Sequence, residues 1–119
     1  MKNPKYILIE FNELSPVLLE RFMNQGLLPN FKRFYEASNV FRTHSEDRTE
    51  LLEPWIQWLS IHSGMSYDEH QVFFLGDGKK LKEKCFAEVL SERGVRVGVF
   101  GAMNTNYRTL NGYFVPDPW

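Results

Sequence analysis

Two short runs constrain this chain more than anything else in it: Tyr6-Ile7-Leu8-Ile9-Glu10-Phe11 and Val95-Arg96-Val97-Gly98-Val99-Phe100. The first is a nearly unbroken stretch of β-prone side chains, without the polar alternation of a strand wetted on one face. Such runs belong to strands covered on both sides, which occur chiefly in parallel sheets. Between them the apolar period changes to that of helices, and strands alternating with helices predict an α/β fold: three αβα layers around a mostly parallel sheet.

The intervening elements have recognisable boundaries. Ser15-Pro16 opens a helix, with Ser as N-cap, Pro at the first helical position and an apolar stripe at Leu18, Leu19, Phe22 and Met23. Gly26 ends it, and Pro29 starts a shorter helix with Phe31, Phe34 and Tyr35 on one face. Asn39 to Thr43 can form a strand, and Glu46 to Thr49 is a charged loop. Pro54 to Ser63 reads as a helix closed by Gly64, and Val72 to Leu75 as a short strand before the turn Gly76-Asp77-Gly78. Lys80 to Arg93 carries Leu81, Cys85, Phe86, Val89 and Leu90 at helical spacing. Gly94 caps it, and the tail holds one short strand at Tyr113 to Val115. With no linker or repeat, residues 1–119 read as a single α/β domain.

Composition narrows the function classes. A formal net charge of −1 supplies no basic field for nucleic acid or anionic lipid. No stretch approaches the roughly 20 apolar residues of a membrane span, and nothing at the amino terminus reads as an export signal. The single cysteine, Cys85, permits neither a disulfide framework nor a zinc knot. A cytoplasmic protein without nucleic-acid or membrane partners is expected.

In open α/β sheets ligands gather beyond the carboxyl ends of the strands. That rule brings Asn12-Glu13, the loop before Pro54 and Ala102-Met103-Asn104 to one edge, unless these are simply solvated loop tips.

The order of segments is itself informative. A strand ending in Asn12-Glu13 is followed by a helix and Leu28-Pro29-Asn30-Phe31. Then come Glu53-Pro54-Trp55-Ile56-Gln57-Trp58-Leu59-Ser60-Ile61-His62-Ser63-Gly64, His70-Gln71-Val72, Leu75-Gly76-Asp77 and a closing helix and strand. This order resembles the amino-terminal portion of the alkaline phosphatase superfamily, the sulfatase and phosphodiesterase-like metallohydrolases. The resemblance implies a parent enzyme that cleaves phosphate or sulfate esters with a divalent metal, zinc or manganese, in a fold of which this chain forms the first part.

It also assigns positions. Asn12 falls where the family carries a metal-binding Asp, and Glu10 and Glu13 flank it as further candidate ligands. As the polar lead-in to a helix, Glu13 serves equally well beside the positive end of the helix dipole. The family's nucleophile lies about ten residues before a Thr-Gly or Ser-Gly pair; counting back from Gly64 reaches Pro54, beside Glu53. Thr49 is the nearest upstream hydroxyl, and Ser60 lies inside the helix. Glu53 is either a carboxylate serving a metal or water, or marks a site that has lost this function. Alternatively, Thr49 and Glu53 only cap and charge the helix start.

His44, His62 and His70 have no short zinc-ligand spacing. His70 falls where the family has a structural histidine, and His62 reads as packed. Trp55 and Trp58 are neighbours on one helix, more often core or partner-facing than a stacking platform. The family's remaining Asp and His ligands belong to a later half, and after Asn104 only Asp117 supplies a carboxylate. The chain alone is therefore expected to be inactive. The alternative from another class is a non-catalytic α/β binding or interaction module. Ten Phe and three Trp are more aromatic surface than a core this size needs, so self-association burying Trp55 or Trp58 and the tail from Phe114 is expected.

Overall fold

The computed structural model describes residues 5–107 and 109–118. The fold is α/β, with five helices and a parallel pair of strands among the described residues. It divides into two compact units, Met1–Thr43 and His44–Trp119.

The first unit contains α1 (Pro16–Asn24) and α2 (Pro29–Glu36). Ser15 caps α1 as expected, its Oγ accepting from the Leu18 N–H at 3.3 Å, with Pro16 at the first helical position. Gly26 stands at φ 75°, the left-handed region that ends the helix cheaply only for glycine. Tyr35 Oη donates to a Glu20 carboxylate oxygen at 3.5 Å, and Arg42 pairs with the same carboxylate. That pairing raises the Arg42 pKa.

The run Tyr6–Phe11 departs from expectation. It is extended chain without a ladder, and Tyr6 and Ile7 are 87% and 86% exposed. A strand exists only as one side of a hydrogen-bonded ladder, and among the described residues the only ladder is between Val97–Ala102 and Gly112–Pro116. Asn39 to Thr43 is likewise irregular rather than a strand.

The second unit begins with a 3-10 turn at Thr49–Leu51 and then α3 (Pro54–Ser63) and α4 (Tyr67–His70). Gly64 closes α3 in the left-handed region at φ 72°. A capping box starts α4: Glu69 accepts from the Ser66 N–H at 2.7 Å while Ser66 Oγ accepts from the Glu69 N–H. The expected strand Val72–Leu75 is an irregular connector that buries Val72 and leaves Phe74 exposed.

The long helix expected over Lys80–Arg93 is shorter. A 3-10 turn occupies Asp77–Lys80, the chain runs extended through Leu81, and α5 spans Phe86–Glu92. Cys85 and Glu88 form a capping box that fixes this late start, the Cys85 N–H donating to Glu88 Oε2 at 3.1 Å. Leu81 and Cys85 are nonetheless both buried. A spacing of four puts two residues on one face of a helix, but also on one face of an extended chain, so the apolar period could not separate the two.

Strand β1 (Val97–Ala102) follows α5 and pairs in parallel with β2 (Gly112–Pro116), Val97 opposite Gly112 and Phe100 opposite Val115. The core gathers Leu59 of α3, Val72, Leu81, Cys85, Ala87 of α5 and Tyr107, with Val97, Val99 and Phe114 of the sheet packed against it. Each large side chain so buried contributes about 1.5–3 kcal/mol. The opposite face of the sheet carries Phe100, Tyr113 and Val115, which are 81%, 60% and 42% exposed. The sheet is thus apolar on both faces and covered on one. No helix of the described residues is long and apolar enough to cross a membrane.

Candidate functional site

Within the second unit, the carboxyl ends of β1 and β2 meet the turn that leads to α5. Ala102 is buried, Met103 half-buried, and Asn104 turns the chain at φ 53°, a left-handed conformation that Asn tolerates better than most residues. The Asn104 side chain is buried and knits four segments together. Its Oδ1 accepts from the Gly76 N–H at 2.9 Å and the Gly78 N–H at 3.0 Å. Its Nδ2 donates to the Trp55 carbonyl at 3.0 Å and, more weakly, to that of Phe74 at 3.4 Å. The approach is so close that a Cβ on Gly78 would overlap the Asn104 carbonyl.

Beside this junction lies an open cleft of about 180 Å³, lined by Gly76, Gly78, Lys79, Thr105, Asn106 and Asp117 among others. Thr105 Oγ1 donates to the Ala102 carbonyl at 2.9 Å. The cleft sits where an open α/β sheet gathers ligands, and its lining mixes one cation, one carboxylate and neutral polar groups.

The loop expected to supply Glu53 and Thr49 does approach this end, since Asn104 binds the first turn of α3. The two residues themselves are exposed. Glu53 occupies the N-cap position of α3, its carbonyl accepting from the Ile56 N–H at 3.0 Å, but its carboxylate makes no capping hydrogen bond. Thr49 stands in the separate 3-10 turn, so the two do not act together as a cap. Gln57 does the tying instead, its Nε2 donating to the Leu51 carbonyl at 2.7 Å.

The charged loop has a definite structure. The Arg48 guanidinium binds Glu46 through Nε at 3.0 Å and through a terminal nitrogen at 2.8 Å. It also binds Asp68 of α4 through both terminal nitrogens, at 2.8 and 3.1 Å, and lies over the Tyr67 ring. Hydrogen bonding to Arg48 lowers the Glu46 carboxyl to about 2, and the two carboxylates together raise Arg48. Such a network fixes the approach to α3 and leaves Arg48 engaged on both sides.

Ser60 and His70 make a serine–histidine contact that resembles a nucleophile–base pair, with Oγ and Nε2 3.0 Å apart. The other ring nitrogen decides its chemistry. His70 Nδ1 accepts from the Val72 N–H at 3.0 Å, so in the neutral ring the proton resides on Nε2 and points at Ser60 Oγ. An activated serine needs the reverse tautomer, so the pair is structural, in line with the reading of His70 from the sequence. His62 is buried between Trp58 and Phe86, also as a packed residue. Cys85 is no nucleophile either: burial, and the Glu88 charge after it, push its thiol up to about 11.

The proposed metal ligands lie in the first unit. Asn12 and Glu13 form an exposed turn, Glu13 at φ 56°, and Glu10 is half-buried in the extended run. Among the described residues no three His, Cys, Asp or Glu side chains converge, so a divalent cation finds no assembled donor set. Neither the fourfold bonding of Asn104 nor the Ser60–His70 contact was foreseen. Asn after a strand signals a left-handed turn, whereas a ten-residue separation signals nothing. No protein-family model, curated protein or solved structure matches the chain significantly.

Proposed function

We propose that the chain is the amino-terminal segment of an alkaline-phosphatase-like metallohydrolase that acts on phosphate or sulfate esters, and that alone it is inactive. The observation carrying the segment reading is the bare apolar face of the β1–β2 sheet, with Phe100 81% exposed. A parallel sheet of such composition belongs between two layers. The exposed Tyr6–Phe11 run points the same way, as does the instability of an isolated strand pair. A three-layer αβα arrangement would bury both. The ester-hydrolase chemistry rests on the resemblance in segment order, from Asn12-Glu13 through Ser63-Gly64 to Gly101.

In this reading Asn12, Glu13 and Glu10 contribute to a zinc or manganese site, and Glu53 and Thr49 lie at the reacting edge, all completed by residues of the larger enzyme. The uncovered faces also favour self-association of the isolated chain. Trp55 and Trp58 are already half-buried, so Phe100, Tyr113 and the Tyr6–Phe11 run are the better candidates for its interface.

The test is turnover of p-nitrophenyl phosphate, bis-p-nitrophenyl phosphate and p-nitrophenyl sulfate by the 119-residue chain with Zn²⁺ or Mn²⁺. None is expected. Metal-dependent turnover lost on Asn12→Ala and Glu53→Ala would overturn inactivity. In-frame coding sequence downstream bearing further Asp and His motifs would support the segment reading; a natural stop after Trp119 would favour the alternative, a non-catalytic binding module using the strand-end cleft.

A further inference from the structure

We propose that His70 is a proton-operated latch, holding the Gln71–Leu75 connector closed while its ring is neutral and releasing it when the ring gains a proton. The geometry is specific. Both ring nitrogens are committed, Nδ1 as acceptor from the Val72 N–H and Nε2 facing Ser60 Oγ on α3. The ring is 7% exposed and Val72 4%. A second proton must go to Nδ1, where it would confront the Val72 N–H, donor against donor. Ser60 Oγ already accepts from Nε2–H and keeps that role, but a backbone amide cannot reverse its polarity. The imidazolium therefore breaks one specific hydrogen bond, at Val72, the second residue of the connector.

The surroundings set where this happens. Asp68 and Glu69 share the helix of His70, and Tyr67 packs edge-on against the ring with centroids 5.6 Å apart. Asp68 is neutralised by Arg48, and Glu69 is held by the Ser66 cap. From α3 the nearest polar group is Ser60, with titratable His62 two residues along against Trp58 and Phe86. The connector brings no charge of its own. Burial lowers the His70 pKa and the Glu69 carboxylate opposes this in part, placing the transition below the ordinary value of about 6.5.

Release would travel a short way. The connector carries the Phe73 carbonyl, which accepts from Trp55 Nε1 at 2.9 Å, and the Phe74 carbonyl, bound like the following Gly76 N–H by Asn104. The connector thus leads directly into Gly76, which lines the strand-end cleft, and is tied to Asn104, which lines it too. Acid would loosen the cleft while α3 and α5 stay folded.

Heteronuclear NMR of the full chain between pH 7.5 and 5 tests the latch. At pH 7.5 the His70 ring should show the Nε2–H tautomer. Through the His70 transition, the Val72 amide and Trp55 indole N–H should shift with the same midpoint, below 6.5, and Val72 protection from hydrogen exchange should fall at least tenfold. Amides within α3 should stay protected. Ser60→Ala should retain the Val72 transition, because the Nδ1 contact carries it, and His70→Gln should abolish it. The proposal is overturned by an Nδ1–H tautomer at pH 7.5. It is equally overturned by a Val72 amide that ignores the His70 titration, or by a ring that takes no proton before α3 unfolds.

Discussion

Replacing Asn104 by Ala removes a buried side chain that bonds four backbone groups of the second unit, without creating a large void. The cost can be built up from its bonds. The buried Gly78 N–H loses its acceptor, which costs about 1–3 kcal/mol for a group left unsatisfied. The Trp55 carbonyl loses a donor and the partly solvated Gly76 N–H an acceptor, together about 1 kcal/mol. Ala at φ 53° adds about 1 kcal/mol of left-handed strain that Asn relieves by its own polar side chain. The expected loss is roughly 3–5 kcal/mol, a large share of the 5–15 kcal/mol typical of a small protein. Urea unfolding followed by tryptophan fluorescence is the assay, since all three tryptophans lie in this unit. Asn104→Gly should recover about 1 kcal/mol of that loss by removing the strain alone. A loss under about 1 kcal/mol for Asn104→Ala would refute the account. It would mean that water satisfies the amides of the 76–78 turn as well as the side chain does.

Gly64→Ala should cost about 1 kcal/mol in the same assay, because the added methyl meets nothing and only the left-handed φ is penalised. Stability should fall as pH drops from about 4.5 towards 2. The Glu46 carboxyl, held down to about 2 by Arg48, binds protons more readily when unfolded, so its contribution is present above the unfolded value and lost through the folded one. In Arg48→Met that part of the acid transition should shrink. Cys85, buried with its thiol raised to about 11, should react with a disulfide reagent at pH 8 at least a hundredfold more slowly in the folded chain than in urea.

The parts legible in the sequence are those fixed by local chemistry. Ser15-Pro16 and Pro54 mark helix starts through φ and capping, and Gly26, Gly64 and Gly94 mark ends because a left-handed residue follows the last turn. Strands were legible only where a partner exists within the same unit. Val97–Ala102 found β2, shifted by two residues from the expected Val95–Phe100, whereas Tyr6–Phe11 is strand-like in composition but has no ladder among the described residues. Composition reports that a segment suits a pleated, doubly covered position; pairing depends on what stands beside it. The candidate site was least legible. Asn104 reached the predicted edge, yet its role follows from Gly76, Gly78 and Trp55, distant in sequence and unmarked by any motif.

These observations bear on how the chain could support catalysis in a larger enzyme. Asn104 spends both ends of its amide on backbone groups, and Arg48 spends its guanidinium on Glu46 and Asp68. Ser60 and His70 hold each other in a tautomer unsuited to nucleophile activation. Asn104, Arg48, Ser60 and His70 are thus consumed in fixing the approach to α3, the connector and the strand ends. Glu53 and Thr49, exposed in the approach to α3, and Lys79 of the cleft stand outside these bonds. On the proposed reading, that arrangement gives a rigid shell behind and leaves polar groups at its rim for the chemistry. The uncovered Phe100, Tyr113 and Val115 leave one face of the sheet bare; on the proposed reading a second layer covers that face and brings the donors the chemistry needs.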